Sequence, residues 1–277
     1  MLFRLISLDI DGTLTDSHKR ITSYTRSRLI KFQKNGGVVV LASGRPTEGI
    51  LPYARILRLR EFGGYILAYN GGAVIDCRTG DVLFRNRFPL SLIPAICDII
   101  KDYPVGINTY QDGTILVGNQ INDYTKLEAR INGLPLQFTE DFPAAVNFPI
   151  VKCLLQGEPT VIRELEELLS ARFGDRIGVF KSEPYFLEMV PKGIDKAASL
   201  DKLLHHIGIT TDECIAFGDG FNDISMIRYA GLGIAMSNAA PPVKQAADYI
   251  TASNDEDGIG RLLTKMGRSV FPSLAML

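Results

Sequence analysis

Near the start of the chain an apolar run ends in two carboxylates one residue apart, Leu5-Ile-Ser-Leu-Asp9-Ile10-Asp11-Gly12-Thr13-Leu14. Alternate side chains of a strand share a face, so Asp9 and Asp11 can project together from the strand's end. Carboxylates held that close repel, and a divalent cation between or beside them is the simplest relief. One could then attack a phosphorus while the other moves a proton. A bare D-x-D-G equally describes a solvated Asp-Gly turn, so the remaining parts of a phosphate site must come from elsewhere in the chain. Three other segments offer them. Ser43-Gly44-Arg45 carries a hydroxyl and backbone N–H groups able to hold phosphate oxygens, although alone it is an ordinary turn. Lys196 follows Pro191-Lys-Gly-Ile-Asp195 at the start of a helical stretch, where a cation opposes the macrodipole and therefore favours a specific anionic partner. Gly218-Asp219-Gly220-Phe221-Asn222-Asp223 is an acid-rich glycine turn, which on its own could be an N-capping Asp in a flexible loop.

The elements around these residues explain why they matter together. Residues 3–8 form an apolar strand, and residues 23–35 a helix stopped by Gly36-Gly37. Val38-Val-Val-Leu-Ala42 is apolar throughout, as in a parallel strand buried on both faces, and Tyr65-Ile-Leu-Ala68 is similar, closing at Asn70-Gly71-Gly72. The rhythm resumes after the middle of the chain: helix 195–206 with Ala198, Leu200, Leu203 and Leu204 on its buried face, strand 213–217, helix 223–230, strand 232–235, helix 242–247 and strand 249–251. This alternation predicts an α/β fold with a doubly wound, mainly parallel Rossmann-like core sheet, and ligands at the carboxyl ends of its strands. The middle differs, with an alternating stretch at 114–117 and a helix over 159–172 carrying Ile162, Leu165, Leu168 and Leu169. It reads as a second α/β domain, residues 83–186, inserted into a core made of residues 1–82 and 187–277. The apolar residues Val270, Phe271, Leu274 and Leu277 of the last ten could dock on the core or fray.

The four polar segments, in this order and each at a strand's carboxyl end, resemble the haloacid dehalogenase superfamily, and within it the Cof-type sugar-phosphate phosphatases with a large α/β cap. The matching residues are Leu8-Asp-Ile-Asp-Gly-Thr-Leu14, Ala42-Ser-Gly-Arg-Pro46, Pro191-Lys-Gly-Ile-Asp-Lys196 and Phe217-Gly-Asp-Gly-Phe-Asn-Asp223, with Tyr69-Asn-Gly71 and Asn254-Asp-Glu-Asp-Gly258 extending the likeness over essentially the whole chain. Ala197 departs from the glycine usual after the lysine, a change confined to local backbone freedom. The resemblance implies Asp9 as a nucleophile that takes up the phosphoryl group and Asp11 as the general acid and base. It implies Mg²⁺ on Asp9, the Ile10 carbonyl and Asp219, with Asp223 in support and Asp11 beside it. Ser43, Gly44 and Lys196 would hold the transferring oxygens, and Asn222 would steady the lysine or the phosphate. Arg45 and Asn70 are candidates for substrate contact, against the alternatives of an ion pair for Arg45 and a plain turn residue for Asn70. A carboxylate attacking a phosphate dianion needs cations around the transferring group, and Mg²⁺ suits an oxygen-only site with few protein ligands. The cap would close over the site and exclude water.

Composition narrows the function. With 277 residues, 46% of them hydrophobic, the chain can bury a large core. A formal charge of −1 and no basic tract argue against nucleic acid as a partner. The four cysteines are scattered without a C-x-x-C pair, which argues against a zinc site or disulfide framework and for a reducing cytoplasm. No apolar run has the length of a membrane span, and the first residues read as a strand rather than a signal peptide. The expected activity is Mg²⁺-dependent hydrolysis of a small phosphorylated metabolite. A phosphoryl-transferring mutase and a catalytically silent phospho-ligand sensor are the alternatives. The sensor has no reason to keep both Asp9 and Asp11, and a dehalogenase has no need of the acid at Asp11. A dinucleotide binder is excluded because no G-x-G-x-x-G follows the first strand, whose turn is acidic where a pyrophosphate would sit.

Overall fold

The computed structural model describes residues 3–267, so the apolar stretch at 268–277 lies outside the described residues. The backbone separates into two compact units, one built from the chain up to Phe84 and from Asp195 onward, the other from Arg85–Ile194.

The first unit contains strands β1 (Leu5–Leu8), β2 (Val38–Ala42), β3 (Tyr65–Ala68), β4 (Ala73–Asp76) and β5 (Val82–Arg85). The second contributes β6 (Gly106–Gln111), β7 (Thr114–Gly118), β8 (Leu136–Phe138), β9 (Cys153–Gln156), β10 (Ile177–Glu183) and β11 (Phe186–Pro191). The chain then returns to the first unit for β12 (Cys214–Gly218), β13 (Leu232–Ala235) and β14 (Tyr249–Ile250).

In the first unit the sheet order is β14-β13-β12-β1-β2-β3-β4-β5, and the pairs from β14 to β3 are parallel. β4 runs antiparallel to β3. The apolar runs of β1 and β2 are buried because parallel crossovers cover both faces of the sheet. From β1 the chain winds outward through β2 and β3, and later outward on the other side through β12, β13 and β14. The strand order therefore reverses between β1 and β12, and a doubly wound sheet opens its ligand crevice at such a switch point. Leu8 is level with Leu41 and with Phe217, so Asp9, Ser43 and Asp219 all emerge from the same edge.

The second unit carries the sheet β10-β11-β9-β6-β7-β8, antiparallel apart from the parallel pair β7 and β8. Helices Ile93–Ile100 and Pro159–Phe173 share one apolar cluster with this sheet, in which Ile96, Ile162, Leu165 and Leu169 meet Ile107, Leu155 and Leu187. Leu168 is 40% exposed and lies off that face. The boundary expected at residue 186 cuts into β11, which pairs with β9 and β10, so the exchange back to the first unit comes at Asp195 instead.

In the first unit the helix Lys196–Ile207 buries Leu200, Leu203 and Leu204 as expected, but Ser199 takes the inward place given to Ala198. Asp195 caps it, accepting from the Ala198 N–H at 3.0 Å, and Ala197 continues the helix without the freedom a glycine would give.

Candidate active site

Asp9 follows β1 directly, and its N–H donates to the Phe217 carbonyl at 3.1 Å, which fixes it against β12. Lys196 lies at the first position of its helix and is fully buried. Its ammonium donates to Asp9 Oδ1 at 2.8 Å and to Asp223 Oδ1 at 2.6 Å. The other Asp223 oxygen accepts from the N–H groups of Asp219 and Gly220, at 3.0 and 2.9 Å. Asp219 is held by the Thr13 hydroxyl at 2.6 Å, and carboxylate oxygens of Asp9, Asp219 and Asp223 lie within 4.8 Å of one another.

The electrostatics follow from this crowding. Burial, and then the Asp223 carboxylate, push Asp9 up to about 8 although Lys196 opposes the shift. Burial also raises Asp219. Burial would depress Lys196, but Asp223 and Asp9 outweigh it and hold the ammonium charged above the ordinary lysine range. Three clustered carboxylates share one ammonium, so the site carries uncompensated negative charge. Its donors are all hard oxygens, and that set fits a small divalent cation such as Mg²⁺.

Asp11 stands apart from this cluster. Arg45 grips it with two bonds, Nε to Oδ2 at 2.7 Å and a terminal nitrogen to Oδ1 at 2.8 Å, and the Lys19 ammonium donates to Oδ1 at 2.7 Å. Burial works to raise Asp11, but the hydrogen bonds and charges of Arg45 and then Lys19 prevail and lower it. Arg45 also lies 5.6 Å from the Tyr53 ring centroid. The Asp11 carboxylate is therefore engaged by two cations and is not one of the three clustered ligands, which corrects its place in the metal set.

Ile10 is a second correction. Its carbonyl accepts from the N–H groups of Leu14 and Thr15, at 3.1 and 3.0 Å, and from the Thr15 hydroxyl at 2.9 Å, which leaves no lone pair for a cation. Among the described residues none donates to the Asp11 carbonyl, the next one along. Gly12 has φ +83°, and any side chain there would collide with the Asp219 carboxylate. The turn after β1 therefore needs glycine twice over, for its backbone and for the close approach.

Ser43 is buried, and its hydroxyl accepts from the Arg45 N–H at 3.3 Å. Gly44 lies against the Asn70 amide, which would be 3.1 Å from a Cβ at that position. Asn222 donates to Asn70 Oδ1 at 2.9 Å and not to a group of its own loop, so this Asn70 oxygen already has a partner. The sheet thus brings Asp9, Lys196, Asp219 and Asp223 into contact, pairs Asp11 with Arg45, and pairs Asn70 with Asn222. Sequence reasoning missed Thr13 and Lys19. Thr13 stands inside the Asp-Gly-Thr motif and could have been nominated, whereas Lys19 sits in a polar turn with nothing to mark it.

Among the described residues no helix is long and apolar enough to cross a membrane. A solved haloacid dehalogenase-like hydrolase from Bacteroides thetaiotaomicron is 46% identical with a TM-score of 0.92, over 95% of this chain and 99% of that one. The structure of the subclass IIB sugar phosphatase BT4131 is 28% identical with a TM-score of 0.78, over 95% and 99%. The Bacillus subtilis 5-amino-6-(5-phospho-D-ribitylamino)uracil phosphatase YcsE is 29% identical over 94% of each chain. The model of the haloacid dehalogenase-like hydrolases matches residues 6–263, and the chain belongs to that family.

Proposed function

We propose that this hydrolase is a Mg²⁺-dependent phosphomonoesterase acting on small phosphorylated metabolites in the cytoplasm, with the inserted unit as its cap. The observation that carries the reading is the buried trio of Asp9, Lys196 and Asp223 at the sheet's switch point, with Asp219 beside it. A carboxylate that must attack a phosphate dianion has to be buried, aimed and surrounded by positive charge, and Asp9 meets the first two conditions through β1 and the third in part through Lys196. Asp9, Asp219 and Asp223 would hold the metal ion, with the Asp11 carbonyl in place of that of Ile10. Bound there, Mg²⁺ would supply charge neutralisation for the transferring group.

In this reading an Asp9 carboxylate oxygen bonds to phosphorus as the ester P–O bond breaks, giving an aspartyl phosphate and an alkoxide. Asp11 gives the alkoxide its proton and later takes one from the water that splits the acyl phosphate. Arg45 and Lys19 hold Asp11 ionised, so it can act as an acid only once they let it go and it has taken up a proton from solvent. The incoming dianion competes with Asp11 for both cations and supplies that release. Ser43, Gly44 and Lys196 hold phosphate oxygens.

The relatives favour small hydroxylated leaving groups. One is named for a sugar phosphatase activity and one for a ribityl phosphate. Phosphate release from a panel of sugar, polyol and nucleotide monoesters tests the proposal, with and without Mg²⁺, on wild type and Asp9→Asn. Metal-dependent release that Asp9→Asn abolishes is expected. Substantial turnover by Asp9→Asn would remove Asp9 as nucleophile, and a metal-bound wild type inert toward every ester would favour the phospho-ligand sensor.

A further inference from the structure

We infer that the turn Tyr69–Gly71 positions the phosphate-holding groups, and that Asn70 acts through Asn222 and the Ser43-Gly44-Arg45 loop and does not touch substrate. The inference rests on the phosphatase reading above. Three consecutive residues have positive φ, +55° at Tyr69, +56° at Asn70 and +94° at Gly71, and only the last is a glycine. Left-handed backbone at two side-chain-bearing residues in a row is strained and persists only where its surroundings dictate it.

Those surroundings are the other segments of the site. The Asn70 N–H donates to the Ser43 carbonyl at 2.8 Å, and the Tyr69 N–H to the Arg45 carbonyl at 3.0 Å. Asn222 donates to Asn70 Oδ1, and the Ser199 hydroxyl donates to the Gly71 carbonyl at 2.6 Å. Ser199 is buried one helical turn beyond Lys196. A side chain at Gly71 would run into Ser199 and the Asp195 carbonyl. One three-residue turn therefore fastens together the segments bearing Ser43, Arg45, Lys196 and Asn222. Asparagine suits its centre because it tolerates the left-handed region and offers an acceptor to Asn222. Attack on phosphorus depends on how closely the surrounding groups are placed around the transferring phosphate, so a part that only aligns the others still affects rate.

The test is a double-mutant cycle on 4-nitrophenyl phosphate hydrolysis by the full chain with Mg²⁺. Asn70→Gly keeps the left-handed backbone and removes the amide; it is combined with Asn222→Ala. Each single substitution is expected to lower kcat by about 10- to 100-fold, and the double by no more than the larger single. Asn70→Asp still offers Asn222 an acceptor, so its kcat should stay within about threefold of wild type while KM rises from the added negative charge. Losses that multiply, or an Asn70→Gly enzyme with raised KM and unchanged kcat, would overturn the inference in favour of direct substrate contact. Thermal stabilisation by inorganic phosphate, expected in wild type and lost in Asn70→Gly, gives a readout independent of turnover. A wild type that neither hydrolyses the ester nor is stabilised by phosphate refutes the phosphatase reading and this inference together. A wild type that does both, alongside an Asn70→Gly that does both equally well, refutes this inference alone.

Discussion

Replacing Lys196 by methionine removes the one ammonium that Asp9 and Asp223 share, while keeping most of its buried volume. Stripping one partner from a buried ion pair costs about 3–5 kcal/mol, because the remaining charge stays desolvated. For a chain of this size that is a fall in melting temperature of about 6–20 °C. The pH dependence separates the two carboxylates. In the metal-free wild type Asp9 keeps its proton up to about 8, so near neutrality the deficit does not come from a charge on Asp9. Lys196 lowers Asp9, so its loss lifts Asp9 further, and above pH 8 wild type releases a proton that the variant retains. A carboxyl group whose folded value lies above its unfolded one loses stability as pH rises through the interval between them, and the variant's interval extends further. The deficit should therefore widen from pH 8 to 9.5 by up to about 1.4 kcal/mol per pH unit. Urea unfolding of both proteins in chelator between pH 6 and 9.5 measures this. A deficit under about 1 kcal/mol, or one that narrows as pH rises, would refute the shared-ammonium account.

Asp11→Asn should lower turnover of alkyl phosphates by about 10²- to 10⁴-fold and of 4-nitrophenyl phosphate much less, and equal losses on both would exclude a general acid at this position. Adding Mg²⁺ at about 100 times its Kd should stabilise the protein by about 2.7 kcal/mol, reversibly with EDTA. The midpoint shift should be larger at pH 8.5 than at 6.5, because the raised Asp9 must give up its proton to bind the ion. Gly12→Ala places a methyl group against the Asp219 carboxylate in left-handed backbone, which should cost at least about 1–2 kcal/mol and weaken Mg²⁺ binding as seen in the same melts.

The strands legible in the sequence are those written as unbroken apolar runs. Val38–Ala42, Tyr65–Ala68 and Leu232–Ala235 have the expected limits because burial on both faces leaves no ambiguity of phase. The helix Thr47–Ile56 went unrecognised, with Pro52 inside it, and so did β4 and β5 at the sheet's edge. The limit of the inserted unit was misplaced because the pairing of β11 with β9 joins segments about thirty residues apart, and no local periodicity encodes that. Within the site, residue types were legible and partners were not. Asp11 and Arg45 are 34 positions apart and meet only because β1 and β2 are neighbours in register. Whether the Ile10 carbonyl was open to a cation depended on how the turn after it folds back through Leu14 and Thr15, which a residue list does not contain.

The insertion also orders events during synthesis. Asp9 leaves the ribosome 187 residues before Lys196, and β1 waits still longer for β12. At about 5–20 residues per second that wait is roughly 10–40 s, during which the first half of the sheet has one flank open and Asp9 lacks the ammonium of Lys196. The stretch Arg85–Ile194 is contiguous and has its own apolar cluster, so it can complete itself within this interval. The nascent first unit thus spends its exposed period with the flank of β1 that β12 will cover still unpaired, an edge open to pairing with another nascent chain.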